Sequence, residues 1–125
     1  MSRALLDLVL PRLAQRLNRQ LRRYRAGQLD ETQFSDRFER LLQQQHAWLA
    51  NRGVDAFDAG LAIHAAVIVL SAPGLEAEAR ERSLPLEVVE FEAVVAAARD
   101  LSKSYGVSQR RTTQRLSRLV ASYTL

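Results

Sequence analysis

"GLAIHAAVIVLSA", residues 60–72, is the longest apolar run in the chain. Whether it belongs to a membrane or to the centre of a helical body decides the fold. The run is well short of the ~20 residues that a membrane-spanning helix requires. A helix that is apolar nearly all round is one buried on all sides. Gly60, Ala62, Ala65 and Ala66, with Ala59 just before them, leave room for neighbouring helices to approach closely. The stretch therefore predicts a central helix over residues 56–71, with amphipathic helices packed around it.

Working outward, the punctuation supplies those helices. Gly27, Gly53, Gly74 and Gly106 fall between apolar-periodic segments, where a residue in the left-handed conformation closes a helix. Asp30, Asp55 and Ser108 stand where a side-chain oxygen caps the next one, and Asp30 with Gln33 has capping-box spacing. A first helix over residues 3–25 carries Leu6, Leu10, Leu13, Leu17, Leu21 and Tyr24 on one face. Pro11 removes one backbone hydrogen bond inside it, and a kink near Asp7 is expected. A second helix over 31–51 turns Phe34, Phe38, Leu41, Gln45 or Leu42, and Trp48 inward.

After Pro73-Gly74 a short acidic helix over 75–82 is expected, and Pro85 reads as a first-turn proline with Ser83 or Leu84 as cap. A fifth helix over 86–104 has two apolar stripes. Leu86, Val89, Ala93, Ala97, Leu101 and Tyr105 form one, and Val88, Phe91, Val95 and Ala98 the other. A last helix over 109–123 carries Thr112, Leu116, Leu119, Val120 and Tyr123 inward. No strand-period alternation, repeat or low-complexity tract occurs. The sequence thus predicts an all-α single domain over residues 1–125, a bundle of five to six helices.

Composition narrows the function. With 125 residues and no cysteine, the chain builds a core without disulfides and offers no thiolate metal site. Arginine supplies 17 of its 18 basic residues, which suits forked contacts to phosphate or carboxylate and equally reflects a GC-rich coding bias. The Arg-rich first 26 residues superficially look like a transit peptide, but their leucine face reads better as core. A cytoplasmic location without integral membrane association is the expectation.

The charge is unevenly placed. Residues 1–27 sum to +6, residues 54–98 to −6 and residues 99–125 to +5. At 100° per residue, Arg12, Arg16, Arg19 and Arg23 fall within about 60° of one another, beside the leucine face. Arg111, Arg115 and Arg118 form a stripe on the last helix, opposite Leu116, Leu119 and Tyr123. Two such stripes on one exposed face would attract polyanions in a salt-dependent way. Alternatively, the acidic middle segment neutralises one of them, within a subunit or between subunits.

Residues 98–119 resemble the helix-turn-helix of DNA-binding proteins. The matching positions are Leu101, the small Ser102, Gly106 in the turn, Val107, the capping Ser108 and Leu116. Thr112 stands where that motif usually buries Val or Ile, and the preceding helix is about twice the motif's usual length. The resemblance implies a second helix exposing Gln109, Arg110, Arg111, Thr113 and Gln114 to base edges, with Arg115 and Arg118 on phosphate. The same Gly-Val-Ser joint also serves as a plain packing corner between two helices.

No catalytic constellation is present. Of the two histidines, His46 and His64, neither has a glutamate three residues before it, so a carboxylate-bridged di-iron site fails, and a zinc site lacks third and fourth ligands. His64 reads as a buried or half-buried histidine bonded to a neighbour. Glu76, Glu78, Glu81, Glu87, Glu90 and Glu92 read as a solvated acidic face. The sequence therefore predicts a non-enzymatic protein with no cofactor or metal. Nucleic-acid binding through the arginine-rich C-terminal helix and the first-helix arginines is one expectation. A helical protein–protein interaction module, a homo-oligomer or a subunit of a complex, is the other.

Overall fold

The Asp30 carboxylate accepts from the Gln33 N–H at 2.8 Å, and the Gln33 amide oxygen accepts from the Asp30 N–H at 2.9 Å. This reciprocal box satisfies two backbone donors that a helix start leaves unpaired. The computed structural model describes residues 2–124; Met1 and Leu125 lie outside the described residues. Six helices follow in order: α1 (Ser2–Arg25), α2 (Glu31–Ala50), α3 (Ala56–Leu70), α4 (Ala72–Arg82), α5 (Leu86–Tyr105) and α6 (Gln109–Thr124). No strand occurs among the described residues.

The expected stops and caps are mostly in place. Gly27, Gly53 and Gly106 adopt φ of 75°, 78° and 64°, and Asp55 accepts from the N–H groups of Phe57 and Asp58 to open α3. Two expectations are corrected. Pro73 lies in the first turn of α4, where a missing N–H costs nothing, so α4 begins at Ala72 and Gly74 closes no helix. Ser83 closes α4 instead, at φ 56° in the left-handed region. Pro85 is extended and precedes α5 as its cap residue rather than entering the first turn, and no side chain caps that helix. α1 runs on through Pro11.

α3 is the centre of the body, as its apolar surface requires. Ala59, Leu61, Ala62, Ile63, Ala65, Ala66 and Ile68 are all buried, and α1, α2, α5 and α6 each pack against it. Gly60 permits the approach of α5: a Cβ there would lie 2.9 Å from Cδ2 of Leu101. Leu6, Val9 and Leu13 of α1, Leu41 and Leu49 of α2, and Leu116, Leu119 and Val120 of α6 complete the core. α4 lies to one side, mainly against α5. Arg82 ties the two together through paired bonds of 2.9 and 3.0 Å to Glu92, which raise the guanidinium pKa and lower that of the carboxyl.

Gln45 is wholly buried in this core, and neither of its amide atoms has a hydrogen-bond partner among the described residues. Trp48 is only half-buried. It packs against the core, as expected, while the guanidinium carbons of Arg12 and Arg52 lie 3.8 and 4.2 Å from its ring centre, so the indole also supports two cations.

Candidate nucleic-acid interface

The α5–α6 joint is built as the sequence spacing requires. Gly106 takes the left-handed conformation and its N–H donates to the Ser102 carbonyl at 2.9 Å. Ser102 does more than stay small: its hydroxyl donates to the Val107 carbonyl at 2.6 Å, bracing the turn. Ser108 then accepts from the Arg111 N–H at 3.3 Å and opens α6. Thr112 is buried where the motif prefers an aliphatic residue. Its methyl joins the interior while its hydroxyl donates to the Ser108 carbonyl at 2.8 Å, so no polar group is stranded.

Burial of Thr112, Leu116, Leu119 and Val120 fixes which side of α6 faces out. Gln109, Arg110, Arg111, Gln114 and Arg118 are all exposed. Arg110, Arg111 and Arg118 form no ion pair among the described residues. Arg115 does: it lies 3.8 Å from Asp58 and its guanidinium carbon 5.5 Å from the Phe57 ring centre, which binds it to the start of α3. Thr113 is half-buried, and its hydroxyl donates to the Gln109 carbonyl at 2.8 Å. Arg118 lies close to Arg3 of α1 in a shallow cleft. Arg3 itself donates to the Ser122 carbonyl at 3.1 Å and covers Tyr123 at 4.1 Å, which anchors α1 to α6.

Beside the outward face of α6 runs an apolar groove of about 730 Å³. Phe91 and Val95 of α5 line one side, and the α6 side includes Thr113, Ser117 and Ala121 together with the predicted contacts Gln109, Arg110, Gln114 and Arg118. Phe91 is 53% exposed and Val88, one turn earlier, 42%. The second apolar stripe of α5 is thus largely left open.

The first-helix arginines go elsewhere. Arg16 and Arg19 line a cleft of about 420 Å³ between α1 and α2, while Arg12 is held on Trp48 and Arg23 is half-buried. No residue of α6 lines that cleft, and α2 and α6 do not touch. The two arginine stripes therefore open onto separate clefts. Facing Arg16 and Arg19 are Arg37 and Arg40 of α2, which the sequence reading did not single out. Their three-residue spacing, with Gln44 one turn on, places them on a common face. An antiparallel α1–α2 hairpin then sets that face opposite Arg16 and Arg19.

His46 and His64 are both half-buried, and burial lowers both pKa values from the ordinary 6.5. His64 also feels Asp100, which raises it, and His46, which lowers it. No group of three or more metal-binding side chains converges among the described residues. Nor is any single helix there long and apolar enough to cross a membrane.

Comparison with known proteins adds no assignment: no family model, curated protein or solved structure matches the chain.

Proposed function

We propose that the chain is a non-enzymatic, duplex-DNA-binding protein that lays the outward face of α6 in the major groove. Arg110 and Gln114 sit where a second helix of this kind meets base edges, Arg suiting guanine and Gln adenine. Arg111 and Arg118 flank them as phosphate contacts. Arg115, paired with Asp58, steadies α6 against α3 instead. The observation that carries the reading is a buried ridge of Thr112, Leu116 and Leu119 behind an outer surface on which Arg110, Arg111 and Arg118 form no ion pair among the described residues.

The test is fluorescence anisotropy with a labelled mixed-sequence duplex of about 25 base pairs at 50 mM salt. Replacing Arg110 and Arg118 together by alanine should weaken binding by at least about tenfold, since charge-assisted bonds contribute roughly 1.5–3 kcal/mol each. Equal affinity of the variant and the parent chain removes the proposal.

The exposed Phe91 and Val88 favour a second reading, in which the α5–α6 groove holds a protein partner or a second copy. Phe91→Ser would then abolish association in sedimentation.

A further inference from the structure

We infer that the α1–α2 cleft is a separate binding site for a short phosphate chain, as in pyrophosphate or a nucleoside triphosphate. Arg16 and Arg19 of α1 and Arg37 and Arg40 of α2 all line it, and no carboxylate does among the described residues. None of the four forms an ion pair among the described residues. Asp36 stands four residues before Arg40, a spacing at which opposite charges meet on a helix, yet the pair is not made. Like charges gathered in one concavity repel one another, and a multiply charged anion relieves that repulsion. Guanidinium forks match phosphate oxygens in pairs, so walls carrying two arginines each suit a short phosphate chain.

Gln15, Gln20 and Gln44 border the same cleft and add neutral polar groups beside the arginines. The volume of about 420 Å³ lies within the range of small-ligand sites. The cleft is a concavity between two helices, whereas a duplex groove needs a protruding element. It also lies apart from α6, so this site does not rest on the DNA-binding reading.

Isothermal titration calorimetry of the full chain in EDTA-containing buffer at 100 mM NaCl tests the site, with ATP, sodium pyrophosphate, adenosine and sodium sulfate as probes. Trp48, one turn beyond Gln44, adds a fluorescence readout for pyrophosphate. ATP should bind one to one with a Kd below about 1 mM, pyrophosphate more weakly, and adenosine and sulfate not measurably. Joint replacement Arg16→Gln and Arg40→Gln should weaken ATP by at least about tenfold. Circular dichroism melting establishes that the variant folds, and duplex anisotropy of the arginine pair separates this site from α6. Absence of ATP binding to the parent chain, equal binding of sulfate, or indifference to the arginine pair overturns the site. So does a result in which that pair changes duplex affinity alone.

Discussion

The Ser102 hydroxyl donates to the Val107 carbonyl at 2.6 Å, joining the last turn of α5 to the residue before the cap of α6. The bond crosses the left-handed Gly106 and is half-buried, so it sets how α6 leaves α5. Ser102→Ala removes the donor and keeps the small volume. Stability should fall by about 1 kcal/mol in urea denaturation, because a lost bond leaves a partly shielded carbonyl unpaired. Full retention of stability would mean that water replaces the hydroxyl at no cost.

Gln45 predicts the opposite sign. Its side chain is wholly buried and neither amide atom is paired among the described residues, so the folded state carries the cost of desolvating both. Met is close in shape and has no strong polar group. Gln45→Met should therefore stabilise the chain by about 1 kcal/mol or more, measured as a higher denaturation midpoint with unchanged slope.

The close approach of α3 and α5 gives a third prediction. A Cβ at Gly60 would meet Cδ2 of the buried Leu101 at 2.9 Å, with the Tyr105 ring next nearest. Gly60→Ala then gains helix propensity but forces Leu101 from its place. Overpacking of this kind costs about 1–3 kcal/mol, and Gly60→Val should cost more than Gly60→Ala. Thermal melts of the two variants decide the order.

Acid should weaken the fold through the two histidines. Burial lowers His46 and His64 below the ordinary 6.5, so the unfolded chain binds more protons than the folded one below neutrality. Their contribution is intact above pH 6.5 and declines as pH falls toward the lowered folded values. Denaturation at pH 7 and pH 5.5 should show that loss, and His64→Gln should reduce it. A pH slope unaffected by His64→Gln would assign the loss to carboxylates.

Much of the helical order was legible because its signals are local. The Asp30–Gln33 box, the Asp55 and Ser108 caps and three of the four expected glycine stops act within a few residues. Pro73 misled because a proline closes a helix when it follows one and is tolerated when it stands in the first turn. Val9, Leu49 and Val94 are all buried but fall outside the apolar stripes read from the sequence, which are too narrow. On the candidate sites, the outward side of α6 followed from its own periodicity. The positions of Arg12 on Trp48 and of Arg37 and Arg40 opposite Arg16 and Arg19 depend on the α1–α2 register. No one-helix pattern contains that register.

The salt dependence of duplex binding bears most directly on the DNA-binding role of α6. Each arginine that neutralises a phosphate contributes roughly 0.9 to the slope of log affinity against log salt concentration on B-form DNA. Replacing Arg111 and Arg118 by alanine should flatten that slope by about 1.8 and lower affinity across all duplex sequences. A slope identical in the parent chain and the double variant, or no duplex binding at 50 mM salt, contradicts it.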